Sequence, residues 1–297
     1  MDRIDAMRVF VTVAQEGSFA AASRRLALSP PAVTRAVAGL EGRLGARLFV
    51  RTTRAVRLTE VGTRYLVDAR RILAELEEAE ATAAGAEAEP RGTLSMTAPS
   101  MFGRRHVAPH VIAFVGRHPA ASVRALFVDR MVDLVEEGVD VAVRIAHLPD
   151  SSLTAVRVGA VRRVVCASPS YLEAHGVPET PADLAGHLAV VFSPSTAVTP
   201  WGFRGGVTVA PPPARLVAST SDLAIQAALA GVGLTRMLSY QVRGEIGDGR
   251  LVRLLADHEP EPLPVHVVFP QGRTGSARVR AFVDIVVAGL RADPALQ

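Results

Sequence analysis

The sequence predicts an α/β chain that opens with a winged helix–turn–helix, continues as a long linker helix and ends in an α/β domain. Three observations predict it. Residues 18–58 carry two short helical patterns around a tight turn, followed by a basic hairpin. Residues 60–84 repeat apolar side chains every three or four positions. From residue 92 onward, short β-branched runs alternate with helical ones, the pattern of an α/β domain with a mainly parallel sheet.

The elements follow in order. Residues 3–16 read as a first helix with Ile4, Met7, Phe10, Val11 and Val13 turned inward. Ser18 is a suitable N-cap for a second, in which Ala20, Ala21, Ala22 and Leu26 are strong helix formers. Ala27 and Leu28 leave room only for a turn. Ser29 then caps a third helix with Pro30 and Pro31 in its first turn, where a missing N–H matters least. Ala32, Val33, Ala36, Val37 and Leu40 form its inner stripe, which leaves Thr34, Arg35 and Arg43 for solvent. This is the geometry that holds a recognition helix out into a DNA major groove. Leu48–Val50 and Ala55–Leu58 read as a short hairpin with Arg51, Thr52, Thr53 and Arg54 at its tip, suited to phosphates or the minor groove.

Thr59 is the expected N-cap of the linker helix, which runs from Glu60 to about Ala84 with Tyr65, Leu66, Ala69, Ile72, Leu73, Leu76 and Ala79 along one stripe. Two readings fit the stripe: packing on its own domain, or pairing with a second copy so that two recognition helices match a symmetric operator. The second is favoured. Residues 83–92 end the helix and serve as linker. Expected domains are 1–59, 60–91 and 92–297.

In the last of these, strands are expected at Thr93–Ala98, Val123–Val128, Val139–Ile145, Val161–Ala167, Val190–Ser193, Gly233–Met237 and Val265–Phe269. Helices are expected at His106–Arg117, Val132–Glu137, Ser170–His175, Asp222–Ala230 and Ala277–Leu290.

Residues 1–62, MDRIDAMRVFVTVAQEGSFAAASRRLALSPPAVTRAVAGLEGRLGARLFVRTTRAVRLTEVG, resemble the DNA-binding signature of the LysR-type transcriptional regulators. The likeness continues more loosely through DLVEEGVDVAVRI, LPDSSL and CASPSYL to the end of the chain. It departs at Ala27, where the family often has glycine, and at Pro30, where it often has glutamine. The resemblance implies two effector-domain subdomains similar to type 2 periplasmic binding proteins. Their crossovers are expected near Val161–Val165 and Val268–Pro270, so that subdomain I takes 92–163 and 268–297 and subdomain II takes 164–267. It also implies a double-stranded DNA operator, a small-molecule effector and a homodimer or homotetramer.

Composition narrows the class. Residues 1–59 hold 10 Arg against 4 acidic residues, while residues 60–90 hold 3 Arg against 8. The positive excess therefore sits where the recognition helix and wing are expected, as a polyanion partner requires. The chain contains no lysine, so its basic pI reflects arginine usage and carries little weight. A single cysteine, Cys166, leaves no internal disulfide and fits a reducing cytoplasm; its apolar neighbours place it in the core. An amphipathic N-terminus bearing Asp2, Asp5 and Glu16 is not expected to be a signal peptide, and no membrane partner is expected.

Candidate base readers are Thr34 and Arg35, since Arg matches the guanine O6/N7 edge. Ser18, Ser29, Arg51 and Arg54 are expected at phosphates, with Pro31 and Thr52 on the same surface; Arg24, Arg25 and Arg43 are weaker candidates. In the effector domain, Thr97, Ser100 and Met101 end the first strand, where hydroxyls and turn N–H groups suit an anion. Ser219 and Thr220 precede a later helix in the same way, and Arg144 and His147 follow the third strand. Each Ser or Thr has the alternative of being an ordinary N-cap. Regulators of this family commonly use these two positions. Asp150, Ser151 and Ser152 are expected to shape a loop. His106 and His110 share a helical metal spacing, but Pro109 lies between them and no third ligand follows, so no metal and no cofactor are expected. Gly231 and Gly233 follow a helix instead of preceding one and so read as a helix end. Trp201 has no assigned role. No nucleophile–base pair is apparent, which argues against an enzyme. Alternatives are a constitutive DNA-binding repressor and a small-molecule-binding protein that acts through the α/β domain alone.

Overall fold

The computed structural model describes residues 2–51, 56–83, 89–148, 153–193, 199–270 and 276–297. The chain divides into two compact units, Met1–Ala88 and Glu89–Gln297.

The first unit contains α1 (Arg3–Glu16), α2 (Phe19–Arg25), α3 (Pro30–Leu44), the hairpin β1 (Phe49–Arg51) and β2 (Val56–Leu58), and α4 (Glu60–Ala83). Asp2 caps α1 by accepting the Asp5 N–H at 2.8 Å, and Gly17 ends it in the left-handed region at φ 61°. Phe10 is fully buried, with the rings of Phe49 and Tyr65 each 5.3 Å from its own. Thr59 begins α4: its Oγ1 accepts the Gly62 N–H at 2.8 Å and donates to the Arg47 carbonyl at 2.7 Å. Ala69 and Leu73 are buried against this core, while Val61, Val67 and Ile72 remain exposed. The first half of the linker helix thus packs on its own unit and carries further apolar side chains outward.

The second unit contains two five-stranded sheets. Its elements begin with β3 (Gly92–Ala98), α5 (Ser100–Phe102), a π-helical segment Gly103–Val107, α6 (Ala108–Arg117), β4 (Ala121–Phe127), β5 (Val141–Ile145), β6 (Leu153–Val161) and β7 (Arg163–Ala167). There follow α7 (Pro169–His175), β8 (Ala189–Phe192), β9 (Trp201–Gly202), β10 (Thr208–Val209), β11 (Ala214–Ala218) and α8 (Ser221–Leu229). The last are β12 (Leu234–Leu238), α9 (Ser239–Gly247), β13 (Val252–Leu254), β14 (Leu263–Pro270) and α10 (Ala277–Arg291). The first sheet has the order β4-β3-β5-β14-β6 and the second β11-β8-β12-β7-β13.

Four expectations change. The sheets are mixed, because β14 runs antiparallel to β5 and β6, and β7 runs antiparallel to β12 and β13. A strand that returns from the other sheet enters from the opposite end, without the right-handed helical crossover that makes neighbours parallel. The expected strand Val161–Ala167 is two strands split at Arg162, where the chain passes between sheets. The return, expected at Val268–Pro270, falls between Leu254 and Leu263, and the whole of β14 pairs in the first sheet. Val132–Glu137 is no helix: Asp133 accepts the Val135 and Glu136 N–H groups, and Gly138, at φ 65°, closes a single turn.

The helix expected at His106 starts earlier, at Ser100, and widens to π geometry over Gly103–Val107. Pro109 has no N–H to continue the ladder, and the Ala108 N–H reaches back to the Gly103 carbonyl. Cys166 is a core residue whose thiol is pushed up to about 12 by burial, so it stays a protonated thiol. No described helix is long and apolar enough to cross a membrane.

Candidate DNA interface and candidate effector pocket

The surface of α3 follows from its two stripes. Val33, Ala36, Val37 and Leu40 are buried, and so is Glu41. Pro31, Thr34, Arg35 and Ala38 are exposed at i, i+3, i+4 and i+7, which places them in one outward stripe. Arg35 has no ion-pair partner among the described residues. It lines an open groove with Arg43, Ala6, Ala32, Ala36 and Gly39.

The turn before α3 is fixed internally. Ser23 Oγ donates to the Leu28 carbonyl at 2.5 Å, and the Leu28 N–H returns to the Ser23 carbonyl at 3.1 Å. Ala27 sits at φ 52°, in the region that favours glycine. Ser18 accepts the Ala21 N–H at 3.3 Å as the cap of α2. Ser29 stands at the cap of α3 without a side-chain cap bond, and its exposed hydroxyl is available to a phosphate. Arg25, in contrast, is tied to Glu16 at 2.6 Å.

In the wing, β1 and β2 pair antiparallel with Arg51 opposite Val56. Thr52 and Arg54 lie outside the described residues, as does the Arg51 side chain. Arg57, exposed on β2, is a cation the sequence reading passed over; the alternation Val56–Arg57–Leu58 was its signal.

In the second unit, a pocket of about 450 Å³ opens at the ends of β3, β4 and β5. Thr97, Arg144 and His147 line it together with Asp129, Arg130, Met131, Val132, Val143 and Leu148. Ser219 and Thr220 are not among its walls. They precede α8 in the other sheet, where Thr220 accepts the Leu223 N–H at 3.5 Å as an N-cap and Ser219 is exposed. Met101 is likewise not on the pocket: it is 1% exposed and belongs to the hydrophobic core of this unit. Asp150, Ser151 and Ser152 lie outside the described residues.

The expected anion cradle is filled from within. Thr97 Oγ1 donates to the Leu126 carbonyl at 2.8 Å, and Ser100 Oγ to the Phe127 carbonyl at 3.2 Å. The Ser100 N–H donates to Asp129 Oδ1 at 3.0 Å. A carboxylate of the chain itself therefore holds the place expected for a bound one. The Asp129 charge, after burial, helps raise the Tyr240 hydroxyl above its ordinary value. Arg130 is spent on Glu137 in a two-pronged pair at 2.6 and 2.7 Å, whereas Arg144 gives one nitrogen to the Val132 carbonyl at 2.7 Å and keeps further donors. Sequence reading missed Asp129; its signal was an Asp-Arg pair at the carboxyl end of a strand.

The π segment joins the two sheet-bearing halves of this unit. Arg104 meets Asp222 of α8 at 2.6 Å, Arg105 donates to the carbonyls of Tyr240 and Gln241, and the Phe102 and Tyr240 rings meet edge-on at 5.2 Å. His106 Nδ1 lies 2.6 Å from Asp293, which engages it structurally. Among the described residues no group of three metal-ligating side chains is gathered.

Comparison with known proteins agrees with this arrangement. Residues 4–63 match the model of the bacterial regulatory helix-turn-helix protein, lysR family, and residues 87–291 match the LysR substrate binding domain. The chain is 33% identical over 287 residues to the uncharacterized HTH-type transcriptional regulator YhjC of Escherichia coli, covering 95% of this chain and 96% of that one. It is 33% identical over 273 residues to the E. coli transcriptional activator AaeR, covering 91% and 88%. The solved structure of CrgA, a LysR-type transcriptional regulator from Neisseria meningitidis, superposes with a TM-score of 0.61 at 32% identity, covering 96% of this chain and 98% of that one.

Proposed function

The chain belongs to the LysR family of bacterial helix–turn–helix transcriptional regulators, and from that premise we propose how its residues divide the work. Residues 1–59 bind the operator, 60–91 link and dimerise, and 92–297 sense a small molecule in the cytoplasm, where its DNA lies. The observation that carries the DNA reading is the outward stripe of α3, with Arg35 clear of any ion pair among the described residues. Thr34 and Arg35 read base edges. Ser18, Ser29 and Pro31 sit against the backbone, and Arg51, Thr52 and Arg54 extend the contact through the wing. The exposed Val67 and Ile72 on α4 supply a seam for a second copy, giving a homodimer or homotetramer.

The effector occupies the pocket beside Arg144. Its end near Thr97 and Ser100 carries a hydrogen-bond donor, since both hydroxyls and the Ser100 N–H are already committed and Asp129 offers only acceptors. Its other end carries an acceptor for Arg144, and its body is apolar against Met131, Val132, Val143 and Leu148. The effector acts by favouring one arrangement of the two halves over another.

Fluorescence anisotropy on DNA from upstream of the gene tests the first part. Binding is expected to weaken steeply with salt and to lose sequence preference in Arg35→Ala. Equal, weak binding to all DNA overturns it. The internal bonding of Thr97 and Ser100 also fits a second reading, a constitutive repressor with no effector. A panel of small metabolites that leaves the melting temperature unmoved in wild type favours that reading; a rise that Asp129→Asn abolishes favours the sensor.

A further inference from the structure

A second site lies in the other sheet. Trp201, on β9, is 4% exposed, and the guanidinium carbon of Arg236, on β12, stands 5.1 Å from the centre of its indole ring. Both residues line a cavity of about 50 Å³, together with Val190, Val191, Phe192 and Ser193 at the carboxyl end of β8, and Thr199. It shares no residue with the pocket beside Arg144.

Arg236 has no carboxylate partner among the described residues. Its charged neighbour is another cation: Arg163 lies across from Leu238, two positions along the same sheet face, on the strand that places Val165 opposite Arg236. Burial and the Arg163 charge push the Arg236 guanidinium down to about 10, yet it remains protonated at neutral pH. Arg253, on β13 at the edge of the same sheet, shows the usual arrangement, with both prongs on Glu259 at 2.6 Å. A cation drawn partly out of water, as Arg236 is, gains from a counter-charge. Among the described residues the cavity wall sets a ring face and no carboxylate beside Arg236, around a space of molecular dimensions. The volume suits a single small group and no larger ligand.

We propose that this cavity is an anion-binding site, which takes either a small free anion such as chloride or the carboxylate of a small organic acid. Arg236 supplies the charge, with Thr199 at the rim. The inference does not depend on the effector reading and stands or falls separately.

Trp201 is the only tryptophan of the chain, so tryptophan emission, excited selectively over the tyrosines, reports on this cavity. The full-length protein is titrated at constant ionic strength, exchanging sodium fluoride for sodium chloride, sodium formate or sodium acetate. The expected result is a saturable change in tryptophan emission with a parallel rise in melting temperature, both lost in Arg236→Gln. Saturation by chloride and carboxylates alike identifies a free-anion site; saturation by carboxylates only identifies a carboxylate site. A wild type whose emission and melting temperature are the same in every salt overturns the proposal, whatever the folding of the variant. An equal saturable response in a folded Arg236→Gln also overturns it. Arg236→Met serves where the glutamine variant fails to fold, and its melting temperature is expected not to depend on the anion.

Discussion

The carboxylate of Glu41, near the end of α3, accepts the backbone N–H of Leu48 at 2.8 Å. The same oxygen takes the Phe49 N–H at 3.2 Å. Glu41 is 5% exposed, and Arg47 closes over it at 3.4 Å. The recognition helix is thereby bolted to the first wing strand through a buried acceptor, with both N–H groups otherwise left without partners.

Glu41→Ala should therefore cost about 2–4 kcal/mol, because it strands two buried donors. Glu41→Gln keeps an acceptor oxygen and should cost about 1 kcal/mol. Chemical denaturation measures both. Amide exchange at Leu48 and Phe49 should accelerate in the alanine variant. A loss no larger than that of the glutamine variant would refute the bolt.

The left-handed Ala27 makes an opposite prediction. Its Cβ is strained at φ 52°, and glycine relieves that strain while giving back part of the gain as unfolded-state entropy. Ala27→Gly should raise stability by about 0.5–1 kcal/mol, read as a higher melting temperature of the DNA-binding unit.

Gly62 cannot be replaced. A Cβ there would fall on the carbonyl oxygen of Leu48, whose backbone is fixed by Thr59 and Glu41. Gly62→Ala should destabilise by about 3 kcal/mol. An alanine variant that melts with wild type would mean that α4 shifts freely against the wing strand.

Three histidines of the second unit, His110, His187 and His266, are held below the ordinary value of 6.5, each mainly by burial. The unfolded chain then binds protons before the folded one. Their contribution is fully present above 6.5 and is lost as pH falls from there through the depressed folded values. The melting temperature should fall between about pH 7.5 and about pH 5. His266→Gln, which removes one of these groups, should make the decline shallower.

Legibility in the sequence varied with the range of the interaction involved. The first unit was readable because its helices announce themselves locally, through caps at Ser18, Ser29 and Thr59 and 3.6-residue stripes. The strand β6 (Leu153–Val161) and the helix α9 (Ser239–Gly247) were missed. The pattern of β6 is mixed, with exposed and half-buried positions in near succession, and α9 carries Gly244 and Gly247 inside it. Thr97, Arg144 and His147 were readable as pocket residues from their position at strand ends. Ser219, Thr220 and Met101 were placed by the same rule and went elsewhere, because the rule does not say which sheet a strand joins or which way a side chain turns.

Sequence by itself determined the helices and wing of the first unit and the outward stripe of α3, since each depends on neighbours within a few residues. Tertiary structure alone decided that Asp129 takes the Ser100 N–H across 29 residues and that Glu41 reaches the wing. It also decided that Arg236 faces Trp201 with no carboxylate beside it among the described residues. Those contacts join segments whose separation in the chain carries no periodic signal. They exist only once sheet register and the two crossovers have fixed which backbone groups are buried and which charges are left to answer them.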